Sequence, residues 1–251
     1  MRPLITLLTD FGTADGYVAE MKGVLFSAAP EATVVDLSHD IPSQDIECAR
    51  LAVARYWRRF PPGTVHVVVV DPGVGTSRAP LAVSSDSRFL VGPDNGVLSP
   101  SLLAAGSHAV SLRVPSTAAP TFHGRDVFAP AAAQLALGFA LDELGTVLSD
   151  PVIRRTPEAR RAPDGSVIGE VIAIDRFGNA VTNLIAPRGG QVEITGRRLP
   201  IVRTYADVPC GELVALVGSI GFVEVAQRDG RAADALGVGR GTPVTLRAPR
   251  A

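Results

Sequence analysis

The sequence changes texture between Ser149 and Gly165, and no other feature constrains the fold as strongly. Pro151, Pro157 and Pro163 are interleaved there with Arg154-Arg155 and Arg160-Arg161. An arginine pair can grip a phosphate, but a solvated connector explains this composition without any ligand. Upstream, short apolar runs alternate with longer amphipathic stretches, the order expected of parallel strands joined by crossover helices. Downstream, short strand-like runs are separated by little more than turns containing Gly, Pro or Asn, which indicates a small antiparallel sandwich or barrel. The expected organisation is an α/β domain over 1–150, a linker over 151–165 and a C-terminal β domain over 166–251.

In the first half, strands are expected at Leu4–Leu8, Thr33–Leu37, Val65–Val70, Leu81–Ser84, Phe89–Val91 and Ala109–Leu112. Asp15–Ala28 carries Val18, Met21, Val24 and Leu25 at helical spacing. A second helix is expected from Ser43, its cap, to about Arg59, closed by Pro61-Pro62. A third begins near Asp126, with Pro130 in its first turn. In the second half, strands are expected at Val167–Ile174, Val181–Ile185, Gln191–Ile194, Leu199–Val202, Leu213–Val217, Phe222–Ala226 and Val244–Leu246, with one helical turn at Arg231–Leu236.

Composition excludes several classes of function. With 46% hydrophobic and 20% charged residues the chain is a folded protein, and 25 acids against 24 bases leave no basic footprint for nucleic acid or acidic lipid. Lys22 is the only lysine, which follows base composition and carries no functional weight. Cys48 and Cys210 stand far apart without a CxxC or a histidine cluster, which argues against a disulfide framework and a zinc site. The N-terminal apolar run is interrupted by Asp10, too soon for a signal or membrane segment, so a cytoplasmic protein is expected.

Four segments carry residues capable of chemistry. Asp10 and Asp71 each directly follow an apolar strand run; if those strands are parallel neighbours, both carboxylates emerge at the edge where open α/β sheets bind ligands. Either Asp alone is as well explained by a turn or a helix cap. Asp10-Phe11-Gly12 matches the kinase magnesium motif only by coincidence, and Gly73-Val74-Gly75 is neither a Walker loop nor a complete dinucleotide fingerprint. Its glycines bring backbone close to some other group. Thr121-Phe122-His123-Gly124-Arg125-Asp126 places His, Arg and Asp at a helix start, where side chains project into a cleft. In the β domain, 175–183 offers Asp175, Phe177, Asn179 and Asn183, with amides able to read an adenine edge and a ring able to stack on it.

Taken together, these segments resemble the SAM hydroxide adenosyltransferases, the adenosine-forming S-adenosyl-L-methionine (SAM) hydrolases related to fluorinases and chlorinases. The resemblance rests on Leu-Thr-Asp-Phe-Gly at 8–12, Val-Asp-Pro-Gly-Val-Gly-Thr at 70–76, Arg78, Gly-Pro-Asp-Asn-Gly at 92–96, Thr-Phe-His-Gly-Arg-Asp at 121–126, Asp-Arg-Phe-Gly-Asn at 175–179 and Gly-Ser-Ile-Gly at 218–221. It implies a Rossmann-like α/β domain with a mostly parallel sheet, an antiparallel C-terminal β-barrel, and a homotrimer with sites between subunits. The implied activity is attack of water or hydroxide on the ribose C5′ of SAM, the (R)-sulfonium epimer in particular, releasing adenosine and L-methionine with no cofactor and no metal.

The family's catalytic triad matches Asp71, Arg78 and His123. By the same resemblance Asp10 holds the ribose hydroxyls, Asp175 pairs with the methionine ammonium, Phe177 and Asn179 take the adenine, and Ser219 meets the methionine carboxylate. Ile220 stands where halogenating relatives have an arginine for that carboxylate. Fluorinases carry Tyr at the position of Asp71, Thr at that of Val74 and Tyr-Ser in place of His123-Gly124, so the hydroxyls that hold a halide are missing here. The alternatives are a SAM-dependent halogenase, a non-catalytic adenosine- or SAM-binding protein, and a metal-dependent hydrolase built on Asp10, Asp71, His123 and Asp126.

Overall fold

The apolar runs of the first half assemble into one sheet. A computed structural model describes residues 2–186 and 189–247. The chain divides into two units, Met1–Arg155 and Thr156–Ala251. The first holds β1 (Leu4–Thr9), α1 (Tyr17–Ala28), β2 (Thr33–Ser38), α2 (Ile46–Tyr56), β3 (Val65–Val69), β4 (Pro80–Ser85), β5 (Arg88–Pro93), α3 (Ser99–Leu102), β6 (His108–Leu112), α4 (Ala129–Ala136) and β7 (Gly145–Val147). Its sheet order is β2-β1-β3-β5-β4-β6-β7. The pairings β1–β2, β1–β3 and β3–β5 are parallel, whereas β4 runs against both β5 and β6, and β7 against β6. Five strands thus share one direction and two oppose it.

Helices cover both faces. Val18, Met21 and Leu25 of α1 pack with Ala132 and Leu135 of α4 against Ile5, Leu7, Val67 and Val69. Ala49 and Val53 of α2, with Trp57, pack on the other face against Leu8, Val68, Val83 and Leu90. Because β1 and β3 are buried on both sides, their sequences are continuous apolar runs rather than alternating ones. α1 carries the chain from β1 outward to β2 and α2 carries it back to β3 on the opposite face, so the carboxyl ends of β1 and β3 flank the point where the winding reverses.

The second unit contains β8 (Arg160–Arg161), β9 (Val167–Ile174), β10 (Ala180–Thr182), β11 (Gln191–Ile194), β12 (Arg197–Val202), β13 (Leu213–Val217), β14 (Val223–Gln227), α5 (Ala232–Leu236) and β15 (Pro243–Arg247). The order β10-β14-β13-β12-β11-β15-β9 closes through a further β9–β10 pairing, so seven strands form a barrel with β8 flanking β9. All pairings are antiparallel except β12–β13. Val171, Leu184, Val192, Ile194, Val225 and Val244 fill the interior.

Several local expectations are corrected. The cap of α2 is Asp45, whose side chain accepts from Cys48 N at 2.9 Å, and not Ser43. Helix α1 starts at Tyr17 rather than Asp15, and α2 ends at Tyr56 before a short 3-10 turn, Trp57–Arg59. The strand expected at Val181–Ile185 is Ala180–Thr182. Within the expected linker, Arg160–Arg161 pair with β9.

His66 on β3 sets an acid limit on stability. Its Nε2 donates to Trp57 O at 3.1 Å and its Nδ1 accepts from Thr6 Oγ1 at 2.8 Å, so the ring sits neutral and buried. Burial pushes its pKa down to about 4, the Trp57 carbonyl opposing only in part. The unfolded chain, with an ordinary imidazole near 6.5, binds this proton first, so stability is full above about pH 6.5 and falls towards pH 4, by about 3 kcal/mol. Denaturant unfolding across that window should show the loss, and His66→Gln should reduce it; an unchanged slope in the variant would assign the loss elsewhere.

Candidate active site

Asp10 and Asp71 lie at the carboxyl ends of adjacent parallel strands, since β1 and β3 pair from Ile5–Val65 through Thr9–Val69. The condition set by the sequence pattern is met. The Asp71–Arg78 loop then brings three side chains into contact. Arg78 Nε donates to Asp71 Oδ1 at 2.9 Å, and Arg78 Nη2 donates to Asp71 Oδ2 in a very short contact. Arg78 Nη2 also lies 3.1 Å from His123 Nδ1. The guanidinium packs over the Phe128 ring, with 5.3 Å from Cζ to the ring centroid. Its side chain is 9% exposed and that of Asp71 is 5% exposed.

An arginine donates and never accepts, so His123 Nδ1 is the acceptor of that contact. The imidazole is therefore neutral with its proton on Nε2, pointing a donor away from the pair. Burial first, and Arg78 beside it second, hold the His123 pKa below the ordinary value, against the smaller upward pull of Asp71 and Asp126. Arg78 Nη1 is buried and has no hydrogen-bond partner among the described residues. A buried guanidinium N–H left unpaired is costly, and it marks where an oxygen or anion belongs.

The loops holding this cluster are tied down locally. Gly75 has φ +77°, and a Cβ there would come 2.8 Å from Pro120 O, which is the close approach its glycines suggested. His123 precedes a π turn, Gly124–Phe128, that runs into α4. Arg125 holds that turn: Nε and Nη2 donate to Asp126 at 2.7 and 2.9 Å, and Nη1 donates to Glu20 of α1 at 2.7 Å. Asp126 Oδ2 also accepts from Ala119 N at 2.8 Å. Asp126 is thus committed to the turn, and among the described residues no three His, Cys, Asp or Glu side chains are grouped to hold a metal ion.

Asp10 Oδ2 accepts from Gln44 N at 2.7 Å, and Gln44 takes φ +65°. The preceding Thr9 Oγ1 lies 2.9 Å from His39 Nδ1, Asp36 Oδ1 lies 3.1 Å from His39 Nε2, and Lys22 Nζ donates to Asp36 at 2.5 Å. The sole lysine, given no weight on composition, ends a polar chain that steadies the Asp10 loop.

In the second unit, Asp175 Oδ1 accepts from Phe177 N and Asn179 N, both at 2.9 Å, and Oδ2 accepts from Asn179 Nδ2 at 2.9 Å. This loop presents Phe177, 74% exposed, over a cavity of about 710 Å³ also lined by Asn179, Tyr205, Arg228 and Arg231. Tyr205 lines the same cavity as Asn179; sequence reasoning missed it, since only the folded barrel brings 205 beside 179. Asn183 serves the barrel, its Nδ2 donating to Pro157 O at 2.8 Å. Ser219 sits in the exposed turn that leads into β14, where Val223 N donates to Leu184 O.

The chain matches the model of the SAM hydroxide adenosyltransferase N-terminal domain over residues 5–145 and that of the C-terminal domain over 169–245. It belongs to that family. A relative from Thermus thermophilus, an (R)-S-adenosyl-L-methionine hydrolase, is 44% identical over 98% of this chain and 100% of its own. A fluorinase from Actinopolyspora mzabensis is 30% identical over 90% of this chain and 91% of its own. A crystal structure of an uncharacterized conserved protein from Thermotoga maritima superposes with TM-score 0.87 at 31% identity, covering 96% of this chain and 99% of that one.

The Asp71–Arg78 pair is buried, and disturbing it costs stability. Removing Arg78 leaves the buried Asp71 carboxylate without its counter-ion, so Arg78→Ala should lower the unfolding free energy by about 3–5 kcal/mol. His123→Ala, which leaves the pair intact, should cost about 1 kcal/mol or less. Equal losses in denaturant titrations would contradict the arrangement of charges.

Proposed function

We propose that this protein hydrolyses SAM, the (R)-sulfonium epimer by preference, to adenosine and L-methionine. The observation carrying this reading is the Arg78 guanidinium, held by Asp71, in contact with a neutral His123 and left with a buried, unpartnered Nη1. Such a group suits a water or hydroxide nucleophile. The identity to an (R)-S-adenosyl-L-methionine hydrolase over the whole chain supports the same substrate.

The chemistry asks little of an acid. Oxygen attacks C5′, the C5′–S bond breaks with its electron pair going to sulfur, and methionine leaves as a neutral thioether. The attacking water gives up one proton to solvent. What remains is to hold an oxygen in line with the C–S bond and stabilise its negative character. Arg78 Nη1 supplies charge and a donor, and His123 Nε2–H supplies a second donor. Because Nδ1 is occupied by Arg78, the ring acts as a hydrogen-bond donor in this state rather than as the base.

Asp10 binds the ribose hydroxyls through the oxygen that Gln44 leaves available. Asp175 meets the methionine ammonium, Phe177 and Asn179 take the adenine, and Ser219 meets the carboxylate. Family membership favours a homotrimer with sites between subunits, and a cytoplasmic location; among the described residues no helix is long and apolar enough to cross a membrane. The reaction needs no metal and no cofactor on this reading.

Incubation with separated SAM epimers in heavy-oxygen water, after exhaustive chelation, should yield adenosine labelled at the 5′ oxygen, faster from the (R) epimer. Arg78→Ala and His123→Ala should each lose about 10²–10³ in kcat while retaining adenosine affinity. The acid limb of kcat should lie below about pH 6.5, because protonating His123 removes the acceptor for Arg78 and sets two cations together. Unlabelled adenosine, a 5′-halogenated product in the presence of halide, activity abolished by chelation, or binding without turnover would each overturn the reading.

A further inference from the structure

The Gly-Pro-Asp-Asn-Gly segment at 92–96 has no part in the chemistry above, yet it touches both ends of the loop that carries Asp71 and Arg78. β5 runs parallel to β3, and at Gly92 the two backbones are so close that a Cβ would come 2.4 Å from Val68 O. Glycine alone permits that approach beside the carboxyl end of β3. Beyond it, Asn95 Nδ2 donates to Val70 O at 2.9 Å and Asp94 N donates to Ala79 O at 2.9 Å. Val70 immediately precedes Asp71, and Ala79 immediately follows Arg78.

These bonds bear on side-chain direction. The Val70 carbonyl lies in the same rigid plane as Asp71 N, so holding its oxygen limits rotation of the peptide from which the Asp71 side chain departs. Val70 is fully buried, so no water replaces Asn95 at low cost. Asn95 is itself oriented, because Val97 N donates to its Oδ1 at 3.1 Å and so turns the NH2 group towards Val70. The segment 152–154 straps the motif from outside. Val152 N donates to Asp94 Oδ1, Arg154 N to Ser99 Oγ and Arg154 Nε to Asn95 O, each at 2.8 Å. Burial raises the Asp94 pKa and Asp150 adds to this, while the Val152 N–H of the strap and the Arg78 charge oppose it.

We propose that Asn95 is a positioning residue for the reaction, which with Asp94 clamps both ends of the 71–78 loop and holds Asp71 and Arg78 in register with His123. Its kinetic consequence rests on the hydrolase reading; its structural consequence does not. Asn95→Asp, nearly isosteric but facing the Val70 carbonyl with an acceptor, should lower kcat about 10–100-fold while KM for SAM stays within about threefold. In an Arg78→Ala background the same change should cost less than about twofold, since the residue acts through that side chain. Arg154→Ala loosens the clamp from outside and should produce the same split at about 3–10-fold.

A substrate-free measurement accompanies these assays, namely the His123 ring titration by NMR in folded Asn95→Ala and Arg154→Ala protein. Loss of the fixed Arg78 contact should move that titration upward, towards an ordinary imidazole. Equal kcat losses with and without Arg78, KM rising in step with falling kcat, or an unmoved His123 titration would each overturn the proposal. If the unaltered protein releases no adenosine, the hydrolase reading fails, and the His123 titration alone decides the clamp.

Discussion

Arginine chemistry runs one way: five N–H groups donate and none accepts. At Arg78 that limit orders the surrounding groups. Asp71 takes two of the donors, His123 must present a bare Nδ1 to receive another, and the remaining Nη1 is buried without a partner among the described residues. The imidazole is kept neutral by burial and by the cation beside it, and its one proton sits on Nε2, away from Arg78. Two donors and one positive charge are thereby assembled, with Asp71 engaged on the guanidinium edge.

The fold supplies these groups by different routes. Asp10 and Asp71 arrive by topology, at the ends of parallel strands β1 and β3 where the winding reverses. Arg78 returns from the far end of a short loop pinned by Gly75 against Pro120. His123 arrives on a π turn, whose irregular backbone is fixed by the Arg125 contacts to Glu20 and Asp126. A π turn inserted before a regular helix is a recurrent way of aiming one side chain into a site.

Much of this was legible because the signals were local or periodic. Apolar runs ending in Asp marked β1 and β3, and the change in composition near 150–165 includes the boundary between the two units. Cap choice was harder: Ser43, Gln44 and Asp45 are adjacent polar residues, and Gln44 adopts a left-handed conformation while donating its N–H to Asp10, which delays α2 until after Asp45. The edge strand β7 escaped notice because it is three residues long and Val147 is 65% exposed, so no burial pattern marks it. Tyr205 and Asn95 acquire their neighbours through barrel closure and sheet order, long-range facts that no window of sequence contains. Asp175 was legible in kind, since an Asp two residues before a glycine-bearing turn commonly bonds its own backbone, as it does here.

The account turns on the direction of one hydrogen bond, from Arg78 to His123. Nitrogen-15 NMR of the His123 ring at neutral pH, with Arg78→Ala as the assignment control, reads that direction from which ring nitrogen carries the proton. The account predicts a neutral ring protonated at Nε2 and bare at Nδ1. A ring protonated at Nδ1, or at both nitrogens, would contradict it.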